Sequence, residues 1–225
     1  MHNVETDALS AHDLNPTVRR QISQDDLLAK VLGRAFHDEP NFTYVLPDER
    51  GRRKVLPTFF LEAIRAARIY GQIDVTPAID RAALWICPAR QLAFAQMVRT
   101  RTAAMSFKLG KGFKRYLKVA SSVEEVHDRL VREPHWYLIA LAMEPTQPER
   151  SIGSAVLGPG LARADSDGLL CYLETFQEAH LQFYEGHGFR IADAGCIPNG
   201  PNFWAMIRTP RLAGSVNFRT SDASG

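Results

Sequence analysis

Two hydrophobic periods alternate along the second half of the chain. The segment WYLIALAM (136–143) is apolar on both alternating faces, which is typical of a strand that is covered on both sides. A helix is predicted from about residue 150 to Asp167, then a strand in LLCYLET and a helix in QEAHLQFYEGHG that ends on Gly188. FRIADAG and FWAMIR are predicted as the last two strands. This order of elements predicts one mixed α/β domain.

The first half begins with two predicted helices. Ser23 and Asp26 have the spacing of a capping box, which predicts that a helix begins at Ser23 and runs to Phe36. The loop HDEPNFTYVLPDE follows, and a second helix is predicted over residues 51–69. The apolar face of this second helix consists of Val55, Leu56, Phe59, Phe60, Ala63 and Ile64.

A hairpin and a long helical region connect the two halves. QIDVT (72–76) and AALWIC (82–87) are separated by PAIDR, which predicts two antiparallel strands. Residues 91–133 are predicted to be helical in two or more pieces, with breaks around Gly110 and Gly112.

Length and charge limit the class of protein. The chain has 225 residues, of which 45% are hydrophobic and 23% charged, as in an ordinary globular protein. We predict a single domain over residues 17–210, with flexible tails at 1–16 and 211–225. The net charge of +2 gives no reason to expect a nucleic acid or a membrane surface as a partner.

Cysteine and histidine spacing gives no sign of a disulfide framework or a metal site. Cys87, Cys171 and Cys196 are odd in number and far apart, and the seven histidines are not closely paired. We expect no metal. The N-terminus is too polar for a secretory signal and no apolar run reaches the length of a membrane span, so a cytoplasmic location is expected.

The stretch EPTQPERSIGSAV (144–156) resembles a phosphate-binding bend between a strand and a helix. The first N–H groups of a helix have no internal partners, and the helix dipole places partial positive charge there, so a diphosphate can bind at such a start. Ser154 and Ala155 are small enough to let a ligand approach. Many helices begin with small residues, however, so the bend by itself indicates phosphate binding only weakly.

Tyr184 is a candidate acid at the same edge of the sheet. Parallel strands joined by right-handed crossovers bring successive strand ends together, so Tyr184 is expected near the bend. A tyrosine hydroxyl beside a diphosphate-bearing ligand can donate a proton to a leaving group. The alternative is a buried tyrosine whose hydroxyl forms a hydrogen bond in the core.

Taken together, these segments resemble the core of the GCN5-related N-acetyltransferases, and more narrowly the puromycin N-acetyltransferase-like branch. The resemblance is carried by HWYLIAL, IGSAVLGPGL, CYLET, FYEGHGF and IPNGPNFWAMIR, with AFHDEPNFTYVLPD and AALWICP in the first half. It covers about residues 17–210. It implies an α/β fold whose mixed, mostly antiparallel sheet splays at a cofactor cleft and is flanked by helices.

The resemblance also implies an activity. Acetyl-CoA would bind in the cleft and an amine would attack its thioester, with Tyr184 as general acid to the thiolate. Glu174 and Glu144 are the candidate bases, although a strand-end carboxylate that binds only backbone or solvent is an equally good interpretation. The implied cofactor-binding residues are Ala142, Met143, Arg150, Ser151, Ile152, Gly153, Ser154, Ala155, Thr175, His180, Phe183 and Tyr184.

The acceptor pocket is implied in the loop after the first helix. Phe36, Asp38, Glu39, Phe42 and Tyr44 would offer aromatic surface edged by carboxylates, which suits a small amine with an apolar body. The alternative is that Phe42 and Tyr44 only anchor the loop to the core. The expected partner is a small-molecule amine, with the protein acting as a monomer or homodimer.

One departure from the family pattern affects cofactor binding. The family's bend has Gln or Arg, two residues, Gly, one residue, then Gly or Ala, whereas here Pro148 and Ser151 occupy the first and fourth positions and only Gly153 is kept. Proline has no N–H to donate, and Glu149 adds negative charge beside a diphosphate site. Three hypotheses therefore stay open: an N-acetyltransferase, a non-catalytic binding protein with the same fold, and an enzyme that uses another acyl donor or reaction.

Overall fold

The computed structural model describes residues 16–93, 95–96, 98, 109–143 and 150–211. These residues form a six-stranded sheet with the strand order β1-β2-β3-β4-β6-β5. The strands are β1 (Gly71–Val75), β2 (Arg81–Ile86), β3 (Trp136–Met143), β4 (Cys171–Thr175), β5 (Arg190–Cys196) and β6 (Asn202–Arg208). The predicted hairpin and the four later strands are confirmed.

Helices cover both faces of the sheet. They are α1 (Pro16–Ala35), α2 (Pro40–Val45), α3 (Glu49–Tyr70), α4 (Phe113–Leu130), α5 (Arg150–Asp167) and α6 (Leu181–Gly186). Short 3-10 turns at Pro88–Arg90, Gly110–Gly112 and Glu178–His180 connect them. The break predicted around Gly110 and Gly112 is confirmed, and α4 begins directly after it. None of the helices in the described part of the chain has both the length and the apolar character needed to cross a membrane.

The sheet is mostly antiparallel, as the resemblance implied. β1–β2, β2–β3, β4–β6 and β5–β6 pair antiparallel, and only β3–β4 pair in parallel. A bulge interrupts β3, because Leu84 of β2 pairs with Ala140 while its neighbour Trp85 pairs with Leu138. Ile139 is therefore the extra residue, and it bends β3 where its pairing with β4 ends.

Alternating side chains build a separate core on each side of the sheet. On one face, α5 and α6 pack on Trp85, Trp136, Leu138 and Leu173. On the other face, α1 and α3 cover Leu84 and Ala140. α2 and α4 cover Tyr172, Phe203 and Ala205 beside them. Both faces of β3 are covered, which agrees with its continuous apolar sequence.

Two predictions about the first helices are wrong. α1 begins at Pro16 rather than at Ser23, and proline suits a first helical position because the N–H it lacks would have no partner there. The stretch predicted as a loop after residue 36 contains α2, which again begins at a proline, Pro40. Phe42 and Val45 are buried on this helix, which explains why that stretch carries apolar residues.

The helix predicted to end on Gly188 is shorter than expected. It consists of the 3-10 turn Glu178–His180 followed by α6, which ends at Gly186. Gly188 has a φ of +90°, a conformation that glycine adopts at little steric cost, and it reverses the chain toward Phe189 and β5.

Candidate active site

The candidate site lies where β3 and β4 separate. In the described residues the two strands pair only at three positions, from Trp136 with Cys171 to Leu138 with Leu173. Beyond them, Ala142 and Met143 of β3 pair with β2 on the other side. Glu174 and Thr175 of β4 pair with β6. The facing backbone edges of β3 and β4 therefore border an opening in the middle of the sheet.

The bend that follows β3 is described only from Arg150 onward. Residues 144–149 lie outside the described residues, and the candidate base Glu144 lies among them. Residues 150–153 form the backbone of the first turn of α5, but their side chains are not among those described. Ala155 is exposed on the same helix, and Ser154 is partly buried.

A hydrogen bond joins the start of α5 to the end of α6. Nδ1 of His187 is 2.8 Å from the carbonyl oxygen of Phe183, and Nε2 of the same ring is 2.8 Å from Oγ of Ser154. Because a carbonyl only accepts, Nδ1 carries the proton, and Nε2 accepts the Ser154 hydroxyl proton. This contact places α6, with Phe183 and Tyr184, beside the first turn of α5.

Tyr184 is buried on α6, with the rings of Phe183 and Phe189 edge-on to it. Burial raises the pKa of its hydroxyl well above the usual value, and the nearby charge of Glu39 raises the pKa further. The hydroxyl is therefore protonated at neutral pH and available as a donor.

Glu39 lies opposite, at the residue before α2. Its side chain does not cap that helix. Instead Oε1 accepts a hydrogen bond of 3.3 Å from Nε2 of Gln177 and lies 3.9 Å from Nδ1 of His180. Burial raises the pKa of Glu39 to about 7, and the Gln177 hydrogen bond only partly offsets this effect. A carboxylate with this pKa can accept a proton near neutral pH.

Glu174 is a second carboxylate with a raised pKa at the opening. Its Oε2 accepts a hydrogen bond of 2.9 Å from the hydroxyl of Tyr137, while burial raises its pKa to about 7. Oε1 of Glu174 and the hydroxyl of Tyr172 are also buried, and Tyr172 acts with Tyr137 to offset part of the effect of burial on the pKa of Glu174. Thr175 follows, also buried, and its Oγ1 accepts a hydrogen bond from the backbone N–H of Gln177.

The other four residues expected at the acceptor pocket lie in different surroundings: the core, the solvent and the turn between β5 and β6. Phe42 is buried against Phe59 and Phe60, which favours the core-anchoring alternative for it. Phe36 packs on Phe42 and Phe60. The side chain of Asp38 is 84% exposed and faces solvent. The hydroxyl of Tyr44 donates to the carbonyl of Pro198 at 3.4 Å, which ties α2 to the turn between β5 and β6. Glu39, in contrast, contacts Gln177 and His180 in the segment before α6, and its charge acts on Tyr184.

Sequence reasoning missed two features of this region. The first is the contact of Glu39 with Gln177 and His180 in the segment after β4. Glu39 was expected at the acceptor pocket and His180 at the cofactor, but their contact was not predicted. The second feature is the pair His127 and His135, whose Nε2 atoms are 2.7 Å apart behind Tyr172. Burial and, to a smaller extent, the neighbouring His135 together lower the pKa of His127 to about 3. The two histidines are eight residues apart in sequence, and this spacing gives no sign that their rings are in contact.

Comparison with known proteins agrees with this architecture. No protein-family model matches the chain. The histone acetyltransferase HPA2 and related acetyltransferase of Corynebacterium glutamicum aligns over 85% of this chain and 94% of its own, at 24% identity and a TM-score of 0.59. Arylalkylamine N-acetyltransferase 2 of Aedes aegypti aligns over 85% and 96%, at 10% identity and a TM-score of 0.59. The polyamine N-acetyltransferase of Drosophila melanogaster aligns over 83% and 95%, at 13% identity and a TM-score of 0.53. The chain therefore has the fold of the GCN5-related N-acetyltransferases.

Proposed function

We propose that the protein is an acetyl-CoA-dependent N-acetyltransferase that acts on a small-molecule amine. The observation that carries this proposal is the pair formed by Glu39 and Tyr184. A carboxylate with a pKa of about 7 lies close enough to a buried tyrosine for its charge to raise the tyrosine's pKa. A carboxyl group that titrates near neutral pH and a hydroxyl that keeps its proton there suit a base and an acid in one reaction.

The separated strands fit an extended acyl-CoA. Backbone groups of β3 beyond Leu138 face the opening rather than β4, so they are available to hydrogen-bond an amide-containing arm. α5 begins at Arg150, in the segment that follows β3, and the free N–H groups at the start of a helix favour a diphosphate. Acetyl-CoA, the second substrate, supplies the acetyl group and a thiolate leaving group.

The chain's own residues then handle the protons. An amine enters as an ammonium ion, and Glu39 accepts one proton so that the nitrogen lone pair can attack the thioester carbon. The new N–C bond forms, the C–S bond breaks, and the Tyr184 hydroxyl donates a proton to the departing sulfur. Tyr184 then recovers a proton from the acylated nitrogen, which completes the conversion of amine to amide.

We assign the base to Glu39 in preference to Glu174. Glu39 is the carboxylate whose charge acts on Tyr184. Glu174 has a pKa in the same range, but Tyr137 holds one of its oxygens on the opposite face of the sheet from α6. Glu144 stays an untested candidate because it lies outside the described residues.

Small amines are the proposed acceptors. Two of the compared proteins are named for arylalkylamines and polyamines. A buried carboxylate at the residue before α2, next to an apolar core cluster, is compatible with an amine that has an apolar body.

The test combines cofactor binding with turnover. Calorimetry should detect micromolar binding of acetyl-CoA, and a panel of arylalkylamines, polyamines and aminonucleosides should include acetylated products identified by mass. Tyr184→Phe keeps the ring and removes the donor, so it should lower kcat by about 10²-fold or more while acetyl-CoA still binds. Glu39→Gln should lower kcat/KM, and Glu174→Gln should lower it less. A protein that binds no acetyl-CoA at millimolar concentration is not this enzyme. Binding without turnover would instead support a non-catalytic role.

A further inference from the structure

We propose that His180 carries the proton that Glu39 takes from the amine out to solvent. The catalytic meaning of this inference rests on the proposed function, because the amine proton arises only in that reaction. The contact between the two side chains does not depend on it.

The reaction releases one proton for every amide formed. An ammonium ion has two protons to lose before its nitrogen becomes an uncharged secondary amide. One of them leaves with the thiol, by way of Tyr184. The other stays on Glu39, and it must reach solvent before the next ammonium ion can be deprotonated.

Glu39 is poorly placed to release that proton by itself. Its side chain is only 10% exposed, and Gln177 occupies Oε1 through a hydrogen bond of 3.3 Å. An amide side chain holds the carboxyl group in place but cannot carry a proton onward. Tyr184 is buried and keeps its own proton at neutral pH, so it gives no route either.

His180 links the same carboxyl group to the surface. Its Nδ1 lies 3.9 Å from Oε1 of Glu39, and 46% of its side chain is exposed. An imidazole can accept a proton on one nitrogen and release another from the opposite nitrogen, so this ring can pass a proton between a buried group and solvent. Partial burial lowers the pKa of His180, which favours rapid release of an accepted proton.

The ionisable groups near His180 are compatible with a role in proton transfer. Glu39 faces it from the residue before α2, and Tyr184 follows it on α6. Glu178, at the start of the same 3-10 turn, is exposed to solvent. A separation of 3.9 Å is longer than a hydrogen bond. A proton would cross it through one bridging water molecule or after a small rotation of the ring.

His180→Asn tests the relay. Asparagine keeps a polar group near the position of Nδ1 but has no titratable proton. We expect kcat to fall about tenfold in dilute buffer, less than the roughly 10²-fold loss of a general acid or base, because water can still carry the proton slowly. The KM for acetyl-CoA should change little. Added imidazole should restore most of the lost kcat, because it can replace the missing carrier.

The matched control is Gln177→Ala. This change loosens Glu39 without removing a proton carrier, so imidazole should not restore the activity it loses. Full activity of His180→Asn in dilute buffer would overturn the relay. A loss that imidazole does not reduce would also overturn it and would point to a binding role for His180.

A measurement without turnover separates this inference from the proposed function. The Cε1 proton of His180 can be titrated by NMR in the wild type and in Glu39→Gln. The pKa of Glu39 is about 7, whereas the pKa of His180 is lowered from its usual value, so Glu39 ionises above the range in which His180 titrates. In the wild type the Cε1 shift of His180 should therefore show a second step near pH 7, which Glu39→Gln should lack. An unchanged titration would overturn the contact itself. If the titration changes but the wild type acetylates no amine, the proposed function fails, and the relay fails with it.

Discussion

The hydroxyl of Tyr137 donates a hydrogen bond of 2.9 Å to Oε2 of Glu174. Tyr137 lies in the short region where β3 and β4 pair, whereas Glu174 is the first residue of β4 beyond it. The bond therefore joins the closed part of the sheet to the part that opens. It also gives the Glu174 carboxylate a donor that partly offsets the effect of burial on its pKa.

Tyr137→Phe should raise the pKa of Glu174 above its value of about 7, because only the ionised carboxylate loses a strong acceptor interaction. The free energy of unfolding should fall by about 1.5–3 kcal/mol at pH 8, the size of a hydrogen bond to a charged group. It should fall less at pH 5, where the carboxyl is neutral. Urea unfolding at the two pH values measures the difference, and equal losses at both would contradict this account.

Glu39→Gln should flatten the pH dependence of stability. The folded pKa of about 7 lies above the ordinary value of 4.5, so folding favours the protonated form. The stability from this group is fully present below pH 4.5 and is lost as pH rises through 7. In the wild type the loss between pH 5 and pH 8 should be about 2–3 kcal/mol, and the glutamine variant should lack it. Glu178→Gln, at an exposed position, is the control and should keep the wild-type dependence.

His127→Phe should weaken the loss of stability in acid. The folded pKa of about 3 lies below the ordinary value of 6.5, so unfolding takes up a proton as pH falls. This group's contribution is present above pH 6.5 and declines toward pH 3. Between pH 7 and pH 5 it should account for about 2 kcal/mol in the wild type. The phenylalanine ring keeps the stacking on Tyr172. A slope that does not change between pH 7 and pH 5 would mean that His127 already titrates in the folded protein.

Gly160→Ala should destabilise the fold by about 1–3 kcal/mol through overpacking. A Cβ at this position of α5 would lie 2.2 Å from a ring atom of Trp85, which is fully buried under the helix. Gly158→Ala is the matched control, since nothing lies within 4 Å of its Cβ and alanine favours the helix by about 1 kcal/mol. Thermal unfolding of both variants is the measurement. Similar shifts in the two would remove the explanation by contact with Trp85.

Local sequence was sufficient for most of the fold. β3 and the β1–β2 hairpin were predictable because the side chains of a strand alternate between two faces. Burial of one or both faces therefore gives a recognisable pattern of apolar residues within a few consecutive positions. The start of α1 was not predictable, since helix formation before Ser23 follows no apolar period. The helix α2, in the stretch after residue 36, was not predicted either, because its six residues are too few to show a helical period.

The candidate site likewise has one part that the sequence predicted and one part that only the structure assigned. The sequence by itself determined Tyr184 as the candidate acid and the succession of strands and helices along the chain, because a short motif and a period of two are local properties. The opening of the sheet was implied only by the family resemblance. Only the tertiary structure decided that Glu39, rather than Asp38 next to it, turns inward to a partner 138 residues away. It also decided that His180 stands between that carboxyl and solvent. Burial and the pKa of a carboxyl depend on which side chains surround it in space, and neighbours so distant in sequence leave no periodic pattern.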